Sequence, residues 1–98
     1  MKDRIRVMIA EDFQLLLEDM TETINDQKDM TVVGIARTGA EIVELARRTE
    51  FDIILMDIEM ENLTAGITAA EQIREEKPQA VIIFLTAHED RDIVLTAM

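Results

Sequence analysis

The sequence predicts an α/β fold built on parallel strands, and three observations carry the prediction. Short apolar runs rich in β-branched residues alternate with amphipathic segments of helical period. Strand starts recur at intervals of roughly 20 to 30 residues, the size of a strand-helix-strand unit with a right-handed crossover. Three of the runs also stop at a residue suited to phosphate or metal chemistry: residues 5–10 at Glu11-Asp12, residues 53–56 at Asp57 and residues 81–85 at Thr86. Laid side by side, these strands would gather three carboxylates and a hydroxyl at their C-terminal ends, where open α/β sheets bind ligands.

The first strand is residues 5–10, in which Ile5, Val7 and Ile9 suit a buried position between helices. A helix follows over residues 13–25, because Leu16, Met20 and Ile24 recur every fourth position among acids and amides and line one face. Residues 31–36 are the second strand. Thr38-Gly39-Ala40-Glu41 fits a capping box, in which Thr38 and Glu41 satisfy free amides at a helix start, and this second helix runs to about Arg48. The third strand covers residues 52–56 and opens into a polar loop, residues 57–65. A third helix over residues 66–76 carries Ile67, Ala70 and Ile73 at three-residue steps, and Pro78 forbids its continuation. Residues 81–85 form the fourth strand and residues 86–90 a loop, after which Ile93, Val94 and Ala97 sketch the start of a fourth helix.

Composition narrows the function. Ninety-eight residues, 48% of them hydrophobic, suffice for one domain with its own core. Ten basic against 21 acidic residues leave a net charge of −11, which repels a polyanion and argues against direct DNA or RNA binding by this segment. The absence of cysteine excludes disulfides and thiolate metal sites, so a cytoplasmic location is the expectation. The first apolar stretch breaks at Glu11, too early for a signal-peptide core or a membrane span.

Glu11-Asp12 after the first strand, Leu55-Met56-Asp57-Ile58 at the end of the third and Leu85-Thr86-Ala87 at the end of the fourth occur in the order and approximate spacing of a known set. On these residues the chain resembles the receiver domain of two-component response regulators, in particular receivers of helix-turn-helix transcription regulators. The resemblance implies a flavodoxin-like fold, a doubly wound parallel sheet of order 2-1-3-4(-5), with the last strand and helix absent from this chain. Residues 1–98 would then be a receiver domain incomplete at its C-terminus. By the same resemblance Asp57 is the phosphoacceptor, Thr86 the switch residue, Glu59 and His88 tune the rates, and Ala87 leaves the approach to Asp57 open. The implied partners are a histidine kinase or phosphotransfer protein, docking on the first helix, and an output domain that binds DNA elsewhere in the parent protein. A homodimer is compatible with an exposed sheet edge.

The chemistry can be argued separately. A carboxylate is a poor nucleophile toward phosphorus because both partners are anionic, so a divalent cation must neutralise the phosphoryl oxygens. Mg²⁺ prefers one or two carboxylates with water and phosphate, which suits Asp12 and Asp57, with Glu11 as a direct or water-mediated partner. The resemblance adds the Glu59 backbone carbonyl as a ligand.

Two departures stand out. The family's strand-terminal lysine is not present; the lysines are Lys2, Lys28 and Lys77, and the last precedes the fourth strand, at the end of the sheet opposite Asp57. Many receivers also place a proline four residues and a glycine eight residues after the phosphoacceptor, where this chain has Glu61 and Ala65; its glycine is Gly66, as if one residue were inserted.

Each residue also has an ordinary explanation. Glu11-Asp12 alone would cap a helix, Asp57 could end a strand, Thr86 could cap one, and His88 could be a solvated loop residue. The seven methionines read as core filler and Arg47-Arg48 as a solvated helix end. The leading function is a receiver phosphorylated on Asp57. A phosphorylation-independent receiver-like adaptor competes with it, made plausible by the missing lysine. A phosphohydrolase using an aspartyl-phosphate is disfavoured, because Glu59 stands where such enzymes often carry a second aspartate.

Overall fold

The computed structural model describes residues 3–87 and 93–97. In chain order the elements are β1 (Ile5–Ala10), α1 (Gln14–Asn25), β2 (Met30–Ala36), α2 (Gly39–Arg48), β3 (Ile53–Asp57), α3 (Ala65–Glu76), β4 (Val81–Ala87) and β5 (Ile93–Ala97). They form one sheet of order β2-β1-β3-β4-β5. β1 to β4 are parallel, as expected for strands joined through helices, whereas β5 runs antiparallel to β4.

Strand alternation divides the core. Met8, Ala10, Ile54, Met56, Ile82 and Phe84 project to the face covered by α2 and α3, where they meet Ile42, Val43, Ala69 and Ile73. Val7, Ile9 and Leu55 face the other way, onto Leu17, Met20 and Ile24 of α1. The period of two along each strand thus feeds two helical layers, which is what makes the sheet doubly wound. Met8, Met56 and Met60 are buried in the larger core and Met20 and Met30 pack beside the smaller one, as filler residues do.

Thr38 caps α2, accepting from the Glu41 amide at 3.1 Å. Glu41 reaches back one residue further than a capping box requires, to the Arg37 amide at 2.9 Å. Arg47 is exposed in the last turn of α2, as a solvated helix end is, and its guanidinium also forks onto Glu76, with Nε to Oε1 at 2.9 Å and Nη2 to Oε2 at 2.8 Å, tying α2 to α3. At the N-terminal end of the sheet Arg6 pairs with Asp52 and Glu50, and the Arg6 amide donates to Asp52 Oδ2 at 2.7 Å. β3 spans Ile53–Asp57, one residue later at each end than the expected 52–56, so Asp57 closes the strand and does not open the loop.

Two expectations are corrected. Ile93, Val94 and Ala97 belong to a strand rather than a fourth helix, and Thr86 and Ala87 lie within β4 rather than in a loop. Both follow from one pairing, in which Thr86 stands opposite Val94 and Ala87 opposite Ile93. The outer edge of β4 offers unpaired amides and carbonyls, and Ile93-Val94-Leu95-Thr96 is a β-branched run able to satisfy them. No helix among the described residues is long and apolar enough to cross a membrane.

Truncating Ile54, fully buried beneath both helices of the larger core, should cost about 2–5 kcal/mol in urea denaturation. Thr38→Ala, which removes only a cap, should cost about 1 kcal/mol; equal losses would show that the division of labour between core and cap is wrong.

Candidate functional site

Ala10 opposite Met56 is the last rung of the β1–β3 ladder, so Glu11 and Asp57 leave it side by side. On its other side the Glu11 amide continues toward β2, donating to the Ala36 carbonyl at 3.0 Å. One carboxylate oxygen from each of Glu11, Asp12 and Asp57 lies within 4.8 Å of the other two. Glu11 is only 3% exposed; Asp57 is half-buried and Asp12 faces solvent.

Backbone amides orient two of the three. Phe13 N–H donates to Glu11 Oε2 at 3.0 Å, and Glu59 N–H donates to Asp57 Oδ1 at 3.2 Å. Phe13 is the N-cap of α1 and its own side chain makes no cap bond; Glu11 meets the amide at that helix start, so capping accounts for part of the placement of Glu11 but not for Asp12. Among the described residues the Asp12 carboxylate has no hydrogen-bond donor or ion-pair partner, although its backbone carbonyl accepts from Arg37 Nη2 at 2.7 Å.

The electrostatics of this cup are unfavourable to three negative charges. Burial, reinforced by the charge of Asp57 and its hydrogen bond and by the charge of Asp12, pushes the Glu11 carboxyl up to about 7, against the lowering effect of the Phe13 amide. Burial also raises Asp57, with the charges of Asp12 and Glu59 adding, while hydrogen bonds from Glu11 and the Glu59 amide oppose the rise. Both shifts point the same way, toward the protonated form and against three full negative charges in the cup. A hard divalent cation would relieve the same strain, and an all-oxygen donor set of clustered carboxylates fits Mg²⁺ by its chemistry.

The remaining residues singled out in the sequence fall as follows. Glu59 is exposed, and its amide touches Asp57. Leu85 pairs with Asp57, which puts the backbone of Thr86 one step beyond the phosphoacceptor candidate and Ala87 at the end of β4. His88 lies outside the described residues. Lys77 is far from the cup, lining the opposite end of the sheet with Arg6 and Asp52; its Nζ donates to the Ala46 carbonyl and lies 5.0 Å from the Phe51 ring centroid.

Arg37 went unnoticed in the sequence, and Glu61 and Gly66, seen there only as a departure in loop spacing, prove to have structural roles. Arg37 follows β2 and reaches the Asp12 carbonyl; a strand order that sets β2 beside β1 was the available signal. Glu61 binds the start of α2, for which the sequence holds no local sign. Gly66 is required by close approach: its amide donates to the Ile58 carbonyl at 2.8 Å, and a Cβ there would stand 2.0 Å from the Asp57 carbonyl oxygen. The glycine of this loop is thus needed at 66 and not at 65, in keeping with one extra residue.

Comparison with known proteins gives a consistent result. A profile of the response regulator receiver domain matches residues 7–98. The transcriptional regulatory protein YxjL of Bacillus subtilis is 42% identical over 93 residues, covering 95% of this chain and 42% of that protein. A protein-glutamate methylesterase/protein-glutamine glutaminase of Thermotoga maritima is 41% identical over 91 residues, covering 92% of this chain and 26% of that protein. The chain therefore spans less than half the length of either relative. Among solved structures, the response regulator domain of Thermotoga maritima CheB superposes with a TM-score of 0.79 at 37% identity, over 90% of this chain and 66% of that one. A LuxR-family two-component response regulator from Aurantimonas sp. SI85-9A1 superposes with a TM-score of 0.81 at 29% identity, over 89% of this chain and 61% of that one.

The raised Glu11 carboxyl sets a pH dependence. Between the ordinary glutamate value of 4.5 and about 7 the folded protein holds a proton that the unfolded chain has lost, so stability without metal falls as pH rises through that window. Urea melts should show this fall, and Glu11→Gln should remove most of it; a wild-type stability that rises across the window would contradict the buried acid. Gly66→Ala should cost about 1–3 kcal/mol by overpacking against the Asp57 carbonyl, and an unchanged urea midpoint would mean that the loop adjusts freely.

Proposed function

This chain belongs to the response regulator receiver family, and from that premise we propose that Asp57 accepts a phosphoryl group from a histidine kinase or phosphotransfer protein in a Mg²⁺-dependent reaction. The observation that carries the proposal is the meeting of Glu11, Asp12 and Asp57 within 4.8 Å at the C-terminal strand ends. Those three carboxylates, with the Glu59 backbone carbonyl, would hold the cation. When bound, Mg²⁺ neutralises phosphoryl oxygens so that an anionic nucleophile can approach.

The residues of the chain supply the rest. The Glu59 amide holds Asp57 Oδ1, which leaves Oδ2 to attack. The phosphorus–nitrogen bond of a phosphohistidine breaks as the phosphorus–oxygen bond forms, and the departing imidazole takes its proton from solvent. The half-buried setting keeps Asp57 accessible to a partner's histidine while restricting water. Hydrolysis of the acyl phosphate restores the carboxylate, so the domain assists its own phosphorylation and dephosphorylation without being an enzyme with a turnover substrate. Thr86 is the switch residue, at the strand end beside Asp57; Glu59 and His88 tune the rates, and Ala87 leaves the phosphoacceptor open.

The acyl phosphate biases a two-state surface that an output domain reads. Because a similar protein is named a transcriptional regulator, the output proposed is DNA binding, by a domain outside residues 1–98, in the cytoplasm. The acidic surface of this segment, with its net charge of −11, leaves nucleic-acid contact to that domain.

Incubation with a radiolabelled phosphohistidine donor should label the protein on Asp57 when Mg²⁺ is present, with labelling reduced at least about a hundredfold by chelation or by Asp57→Asn, since charge neutralisation and nucleophile are both essential. Mg²⁺ should also raise the melting temperature by linkage. No labelling of the wild-type protein, with a melting temperature indifferent to Mg²⁺, would favour the adaptor.

A further inference from the structure

The segment joining β3 to α3 is held at three points. Met60 is buried in the core beneath α2 and α3, and the Gly66 amide donates to the Ile58 carbonyl. The third point is Glu61, which is exposed and lies 22 positions from its partner in sequence, yet directs both carboxylate oxygens at the Gly39 amide, at 2.9 and 3.0 Å. Gly39 is the first helical residue of α2, where the amide has no partner within the helix and the dipole favours an anion. Thr38 takes the Glu41 amide of the same turn, so the two side chains divide the helix start between them. Absence of a Cβ at Gly39 permits the approach: one placed there would stand 3.1 Å from Glu61 Oε2 and 3.2 Å from the Ala65 carbonyl oxygen.

Two residues before Glu61, the Glu59 amide donates to Asp57 Oδ1. We propose that Glu61 is a positioning residue for the acidic cup, clamping the loop to α2 so that Glu59 stays against Asp57 and the loop backbone stays within reach of a bound cation. Glu61 itself touches none of the three carboxylates of the cup among its hydrogen bonds; it acts through the two peptide units that separate it from Glu59. The clamp also joins the cup mechanically to α2. The inference rests on the reading of the cup as a Mg²⁺ site.

Direct Mg²⁺ titration by calorimetry, below the melting temperature of every variant, tests it. Glu61→Ala should weaken Mg²⁺ binding about tenfold, the usual lower bound for loss of a group that orients metal ligands. Glu61→Gln, which keeps an oxygen acceptor for the Gly39 amide, should recover most of that loss. Thr38→Ala disrupts the same helix start through its other cap, so it should lower the melting temperature while leaving Mg²⁺ affinity within about twofold. Equal affinity in Glu61→Ala and wild type, or equal weakening by Thr38→Ala, overturns the positioning role. In the wild-type protein, Mg²⁺ should also slow hydrogen exchange of the Gly39 amide, and no change there overturns the clamp even if Glu61→Ala fails to fold. Absence of Mg²⁺ binding by the wild type overturns the site itself and the clamp with it, which separates the two failures.

Discussion

Glu11, Asp12 and Asp57 repel one another, and the ladder between β1 and β3 holds them together regardless. Two ionised carboxylates at 4.8 Å repel by roughly 3–4 kcal/mol at an effective dielectric constant of about 20. The fold offsets this cost by aiming the amides of Phe13 and Glu59 at two of the carboxylates, and burial with the neighbouring charges raises the Glu11 carboxyl toward its neutral form. The same repulsion leaves Asp12, exposed and without a donor for its carboxylate, as the open side of the cup.

The structure separates the work of holding the sheet from the work of the site. At the N-terminal strand ends, cations find partners: Arg6 pairs with Asp52 and Glu50, and Lys77 meets the Ala46 carbonyl in the last turn of α2 and the Phe51 ring. These contacts are exposed or partly so and contribute modestly to stability. At the C-terminal ends, acids meet acids, and among the described residues the cation drawn in is Arg37, which binds a backbone carbonyl instead of a carboxylate. The loop after Asp57 is then fixed from three directions, by an apolar plug at Met60, a close backbone contact at Gly66 and a carboxylate clamp at Glu61.

β4 joins the site to the outer edge of the sheet. Its parallel ladder with β3 sets Leu85 opposite Asp57, and the Ile58 amide continues to the Leu85 carbonyl at 3.3 Å. Its other edge pairs with β5, which carries the strand on through Thr86 and Ala87. The backbone of the proposed switch residue is therefore engaged by a neighbouring strand.

The sequence by itself determined the elements whose signals are local. β-branched runs, a four-residue apolar period in α1, the Thr38 cap of α2 and Pro78 after α3 depend on neighbours a few positions away, whereas the strand order of β1 to β4 was implied by the family resemblance and not by those signals. The order of acids and hydroxyl at strand ends was legible too, because parallel strands in one sheet must finish at one end. Tertiary structure alone decided the rest. Whether residues 93–97 extend as a strand or coil into a helix depends on the free edge of β4, since a five-residue run is too short for its own propensity to prevail. The raised Glu11 carboxyl, the Arg37 and Glu61 contacts and the need for glycine at 66 arise only when segments distant in the chain are brought within a few ångströms, where burial and Coulomb forces act on distances that no spacing along the chain encodes.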